Sequence, residues 1–234
     1  MIVLSISFDI LLREVVYALV LFMWVMFIVL VVSRKFYEYM IGRGFSHNVA
    51  VYYNRKLIHS AAGGFVAFLV PYLFTSPILP LVLALILAIL TYIPHRTGKL
   101  MYWFQVKENI FEVHFCLMWG IIITLAWLLF DGNFWYGVIP VLYMAFGDAV
   151  TGIVRNMLYG RRTKSWWGNI AMAVVCIPLG LKLGLAGAIG GLTASIIEHF
   201  EFKFVDDNIT VPLTAFLVIL TFHHFMPHYV SPLL

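Results

Sequence analysis

The sequence predicts an all-α protein, a polytopic bundle of about eight transmembrane helices with both termini on the non-cytoplasmic side. Three observations carry this. Hydrophobic residues make up 63% of the 234-residue chain and charged ones 11%, with a mean hydropathy of +0.97, whereas an average soluble domain is about 25% charged. Apolar runs near the about 17 to 25 residues of a membrane span recur eight times along the chain. Finally, the basic residues sort to one side of those runs. Helices suit such a chain because each one satisfies its own backbone in lipid. A single integral membrane domain, 1–234, is the simplest division, with a first span and basic loop in 1–54, a catalytic core in 55–213, and a last span and tail in 214–234.

The runs fall at 13–32, 57–74, 77–94, 113–130, 134–154, 167–181, 183–197 and 211–226. The first lacks a basic leader and an A-x-A-like cleavage site, so it reads as a retained span. The second opens on Asn54-Arg55-Lys56-Leu57-Ile58-His59, with Gly63-Gly64 a turn further in. The fourth ends at the turn signal Asp131-Gly132-Asn133. The fifth carries a carboxylate, Asp148. The sixth and seventh are short and joined only by Leu181-Lys182-Leu183, which suggests a tight hairpin or a tilted or re-entrant segment. The eighth follows Asp206-Asp207-Asn208 and Pro212, a helix-capping pattern.

Eight spans place Arg34, Lys35, Arg43, Arg55 and Lys56 in one loop, and Arg96, Lys99 and Lys107 in the next loop on the same side. The third such loop holds Arg155, Arg161, Arg162 and Lys164, and the fourth Lys203. Thirteen of the fifteen basic residues share that side, leaving Arg13 and Lys182 opposite. By the positive-inside rule these loops are cytoplasmic. The net charge of +4 therefore points to membrane surface and nucleotide phosphates rather than to nucleic acid. Cys116 and Cys176 lie in apolar runs without a C-x-x-C partner and read as small buried hydrophobes.

The polar clusters also fall toward the cytoplasmic side. Asp148, Thr151 or Gly152, and Arg155 are spaced to share one helical face. An ionisable group inside a span costs enough to mark a site or an aqueous cavity. The segment Gly160-Arg161-Arg162-Thr163-Lys164-Ser165-Trp166-Trp167-Gly168 has no Walker sequence. Its cations can still clamp a polyphosphate, and Ser165 with the free amides of the next helix can complete an anion site. Trp166 and Trp167 read first as interfacial anchors and second as a stacking surface.

On the second span, Lys56 and His59 are three apart and Arg55 and His59 four apart, so a cation and the imidazole can face one point. Glu108 and Glu112 share a face before the fourth span, either orienting a base or pairing with Lys107 or Arg96. His95 reads as a loop residue. Glu198-His199-Phe200-Glu201 with Asp206-Asp207 holds four of the eleven carboxylates. Mg²⁺ is commonly held by one or two carboxylates plus substrate phosphates, and Asp206, Asp207 and Asn208 with Asp148 offer such a set. On the outer side, His223, His224 and His228 read as interfacial packing before a metal site. Small residues from Gly180 to Ser195 permit close helix approach, within the chain or in a homo-oligomer.

Three of these patches together resemble the integral-membrane lipid-alcohol kinases, the dolichol kinase, phytol kinase and CTP-dependent diacylglycerol kinase group. They are R-K-x-x-H-x-x-x-G at Arg55, Lys56, His59 and Gly63, with Gly64 following; G-D-A at Gly147, Asp148 and Ala149, then Gly160 and K-S-x-x-G at Lys164, Ser165 and Gly168; and D-D-N-x-T-x-P-L at Asp206, Asp207, Asn208, Thr210, Pro212 and Leu213. The resemblance implies CTP-dependent phosphoryl transfer to a lipid alcohol at a cytoplasmic nucleotide site. It assigns Asp148 and the Asp206, Asp207 and Asn208 trio to Mg²⁺ and catalysis, and Arg161, Lys164 and Ser165 to the nucleotide phosphates. His59 is a second candidate base. The chain departs from the group's pattern at Arg155-Asn156, where Gly-Arg is frequent, and at Trp167, where an acid is frequent. The hallmark motifs of the related phosphatidate cytidylyltransferases are absent, which favours a kinase over CDP-lipid formation. A transporter or scaffold is the non-enzymatic alternative. The membrane would be the plasma membrane in a cell without internal ones, otherwise that of the endoplasmic reticulum or a plastid.

Overall fold

A computed structural model describes residues 7–160, 163–200 and 205–230. The described residues form eight helices and no strand: α1 (Phe8–Gly42), α2 (His47–Leu73), α3 (Ile78–Thr97), α4 (Phe111–Leu129), α5 (Trp135–Tyr159), α6 (Trp166–Gly180), α7 (Gly184–Ile197) and α8 (Asp207–Phe225). Seven stretches are long and apolar enough to cross a membrane, with Trp166–Ile197 counted as one. That last stretch is folded back on itself. Gly180 abuts Gly187, Gly191 abuts the Cys176 carbonyl, and Asn169 donates to the Ser195 carbonyl, which is the register of an antiparallel hairpin. A Cβ at Gly191 would lie 2.6 Å from that carbonyl oxygen, so only glycine permits the approach. The small-residue stripe is thereby largely buried within the chain.

The helices begin or end beyond the apolar runs, and this corrects the loop assignments. With 35 residues α1 is about 52 Å long, against a hydrocarbon core of about 30 Å. It therefore carries Arg34 and Lys35 past the membrane as helix rather than loop. Arg55 and Lys56 lie two turns inside α2, and His95 lies in the last turn of α3. Polar residues extend a helix wherever a neighbouring surface gives them partners, and hydropathy alone cannot register that. Left-handed glycines end two helices on the site side, Gly98 (φ 73°) after α3 and Gly160 (φ 65°) after α5.

Three helices widen by one residue into a π turn, at Ile28–Val32, His59–Gly64 and Tyr143–Gly147. Such a turn frees carbonyls, and indoles fill several of them. Trp103 Nε1 donates to Val29 O (3.0 Å), Trp24 Nε1 to Ala61 O (2.9 Å) and Trp119 Nε1 to Gly63 O (3.0 Å). The second and third π turns pack against each other, Gly64 meeting Ala145 and Phe146. They bring the start of one turn, His59, beside the residue that follows the other, Asp148.

Helix α5 is the most enclosed of the long helices, whereas α1 and α3 turn broad apolar faces outward. Around α5 sit α2, α4, α6, α7 and α8. Tyr143 is fully buried and donates to the Gly187 carbonyl at 2.8 Å, tying the core helix to the hairpin. At the far end His223 packs against Phe130 and Tyr136, an aromatic contact of the kind expected for interfacial packing.

Candidate functional site

The cytoplasm-assigned end of the bundle gathers the charges. From α2, Lys56 Nζ donates to both oxygens of Asp148 on α5 at 2.6 Å, and His59 Nδ1 stands 3.4 Å from Asp148 Oδ2. All three side chains are buried. The His59 ring stacks on Phe115 with centroids 4.2 Å apart, and Phe115 in turn rests on Gly63, where a Cβ would strike the ring. Gly152 gives Lys56 its passage, since a Cβ there would lie 2.5 Å from Lys56 Cε.

Two turns further along α5, Arg155 clasps Glu198 at the end of α7. Its Nη1 and Nη2 donate to the two Glu198 oxygens at 2.8 and 2.7 Å, Nη2 also to Asn169 Oδ1 at 2.8 Å, and Nε to Ser165 O at 3.2 Å. Lys164 Nζ adds bonds to Glu198 Oε1 (2.8 Å) and to its backbone carbonyl (2.6 Å), and stands 3.6 Å from Asp207 Oδ2. Gly168 leaves room for the Arg155 side chain, whose Cγ would lie 2.8 Å from a Cβ there.

These groups surround a polar cavity of about 540 Å³ counted out to its mouth, walled by Tyr52, Lys56, His59, Asp148, Lys164 and Glu198, among others. Ligand oxygens of Asp148, Glu198 and Asp207 lie within 4.8 Å of one another. Hard carboxylate oxygens are the donors that suit Mg²⁺. Three cavity residues, His59, Asn208 and Thr163, each bury a polar atom without a hydrogen bond, Nδ1, Oδ1 and Oγ1 respectively. Ser165 Oγ is orphaned nearby. Buried polar atoms in folded proteins are nearly always satisfied, so orphans around one cavity mark where a ligand or ordered water would bond. The donor set and the orphans fit a metal-bound polyphosphate.

The structure sorts the sequence-predicted residues. Asp148, His59, Lys56, Lys164, Asp207 and Asn208 meet at the cavity. Arg155 also reaches it, but its nitrogens are taken up by Glu198, Asn169 and Ser165, so it positions an acid rather than facing a phosphate. Arg55 turns away from Asp148, donating to Asn109 Oδ1 (2.7 Å) and Glu112 Oε2 (3.0 Å). Glu112 is not paired with Lys107 or Arg96, since Arg55, His95 and Gln105 take its oxygens. Ser165 sits at the helix N-cap with its hydroxyl unbonded, and Gly168 serves Arg155 packing instead of an anion site. Asp206 leaves the predicted metal set, its Oδ2 lying 2.7 Å from His114 Nδ1, and burial pushes its carboxyl above the usual carboxylate range. Arg161 and Arg162 lie outside the described residues.

Glu198 is the site residue that sequence reasoning left out of the metal set. The available signal was an acid at the end of a small-residue apolar helix, where nothing local demands a charge. Trp166 stacks on His199 at 4.0 Å and remains half exposed at the surface, beside Asn169. No protein-family model, no curated protein and no solved structure matches the chain.

Proposed function

We propose that the protein is a CTP-dependent kinase that phosphorylates the hydroxyl of a long-chain isoprenoid alcohol, of dolichol or polyprenol type, at the cytoplasmic membrane face. The observation that carries this reading is the cavity in which Asp148, Glu198 and Asp207 are matched by Lys56, Arg155 and Lys164 at one end of an apolar bundle. Acids and bases there neutralise one another. A magnesium nucleotide can exchange with those pairings, its metal meeting carboxylates and its phosphates meeting Lys56 and Lys164. Mg²⁺ held by Asp148, Glu198 and Asp207 would supply neutralisation of phosphate charge. Phosphoryl transfer asks mainly for positioning and charge stabilisation, and this constellation is equipped for both. His59, pinned by Phe115 beside Asp148, is placed to take the hydroxyl proton, with Asp148 as the alternative base.

The topology favours the same reading. A hairpin returns the chain to the side it left, whether or not it crosses fully, so α6 and α7 keep the number of crossings even and both termini on one face. The basic loops support a cytoplasmic cavity with the termini outside. The membrane is the plasma membrane in a prokaryote and that of the endoplasmic reticulum or a plastid elsewhere.

The test is purified protein in detergent with Mg²⁺, CTP labelled at the γ-phosphate, and a panel of polyprenols, dolichols, phytol and diacylglycerol. Label in a lipid alcohol is the expected result. Pyrophosphate released from CTP with phosphatidic acid would move the protein to CDP-lipid formation, and the absence of any turnover would leave a transporter or scaffold.

A further inference from the structure

A second pocket lies beside the polar cavity, between α1, α2, α3 and α4, with about 970 Å³ between its walls and mouth. Along most of its depth the walls are apolar, from Val25, Val66, Val70, Ala84, Phe115 and Trp119 among others. Its polar wall residues, Arg55, His59, Thr91 and Glu112, all belong to the cytoplasm-assigned end. Arg55 and His59 line both cavities. The two spaces therefore share, as a common wall, the imidazole that stands beside Asp148.

The depth can be read along α2. Eleven residues separate His59 from Val70, about 16 Å of helix at 1.5 Å per residue. That is about half of the roughly 30 Å hydrocarbon core, the depth of one leaflet. Phe74 and Pro80 line the far end. A hydrocarbon chain held here would lie against carbon-lined walls from the level of His59 to that of Val70. A charged head would cost far more to bury among these walls than a neutral hydroxyl.

We infer that this pocket is the chain site of the acceptor, taking the single hydrocarbon tail of an isoprenoid alcohol of about one leaflet's depth, and that Val70 sits near the floor that sets chain length. The inference rests on the phosphotransferase reading for what happens at the hydroxyl, and it narrows the acceptor from dolichol-length chains to those near farnesol and geranylgeraniol. Longer chains must leave through the far end or between helices.

Two measurements test it. The first uses wild-type protein in detergent without nucleotide, irradiated with a farnesol analogue carrying a diazirine at its tail and mapped by mass spectrometry. Label on peptides bearing Val66, Val70 and Trp119, suppressed by excess farnesol, is expected. Label confined to outward residues such as Leu19 and Ile89, unaffected by farnesol, would overturn the assignment. The second is Val70→Phe, which is expected to lower the ratio of kcat/KM for geranylgeraniol over geraniol by about tenfold or more, because methylene burial is lost at the floor. An unchanged ratio removes Val70 from the floor. Farnesol-suppressed label inside the pocket together with no phosphoryl transfer to any alcohol would reject the kinase reading and leave the chain site standing.

Discussion

Arg55 and Lys56 are neighbours on α2, yet the carboxylates they meet are in opposite condition. Glu112, the Arg55 partner, is saturated: His95 Nε2 lies 2.6 Å from Oε1, Gln105 Nε2 donates there at 2.8 Å, and Arg55 holds Oε2. Asp148 has Lys56 on both oxygens, a loose contact from His59, and a cavity beside it. A buried polar network that is fully satisfied stiffens the fold, whereas one that borders space and orphaned atoms has bonds left to make. The Glu112 cluster is thus a brace, and the Asp148 cluster a site.

Breaking the open cluster should have the largest effect. Asp148→Asn is expected to reduce label transfer by about 10³-fold or more, the scale of losing a principal electrostatic element of catalysis, while the protein still inserts. It also strands buried Lys56, so Lys56→Met added to Asp148→Asn should recover melting temperature without recovering transfer. Wild-type-like turnover in Asp148→Asn would end the assignment. Next comes Glu198→Gln, which leaves Arg155 and Lys164 facing a neutral group. A loss of about 3–5 kcal/mol is expected for a broken buried pair, read as a lowered melting point in detergent together with lost transfer.

Gly63→Ala tests the link between the clusters. Its Cβ meets the Phe115 ring, and overpacking of this kind costs about 1–3 kcal/mol; displacement of His59 should appear as slower transfer at saturating alcohol. His95→Gln tests the brace. The expectation is a stability loss of about 1–2 kcal/mol from the weakened network, with transfer at a permissive temperature close to wild type. A collapse of activity there would make the saturated cluster part of the site after all.

Asp206 gives the smallest effect and a pH signature. Burial raises its folded-state pKa, so the folded protein binds this proton more tightly than the unfolded chain does. Stability from the group falls as pH rises from the ordinary value near about 4 through the raised one. Asp206→Asn, neutral at every pH, should therefore gain in melting temperature relative to wild type as pH climbs through that window. A difference independent of pH would remove Asp206 as a titrating group.

Much of the fold was legible because lipid imposes a simple rule. Apolar runs and turn signals located eight helices, and the short link at Leu181-Lys182-Leu183 pointed to the hairpin. Helix ends were not legible, since Arg34, Arg55 and His95 are held in helix by partners distant in sequence. Half of the candidate site was readable in the same way. Lys56, His59 and Asp148 announced themselves as costly groups in apolar surroundings. The partners of Arg155 and Gly168 were not legible, because an arginine near a glycine loop looks alike whether it faces a phosphate or Glu198.

The sequence by itself determined that the chain is helical, that its helices are long and apolar enough to cross a membrane, and that its charges collect at one end, because each of these follows from local composition and the cost of burying polar backbone. Only the tertiary structure decided which acids meet. The hairpin register that seats Gly180 on Gly187 carries Glu198 to Asn169 and Arg155, and so into the Asp148 cavity. The start of α8 admits Asp207 and turns Asp206 to His114. Neighbouring residues at a helix start point about 100° apart, so which of two adjacent aspartates faces the site depends on how the helix docks, and docking is a property of the whole bundle.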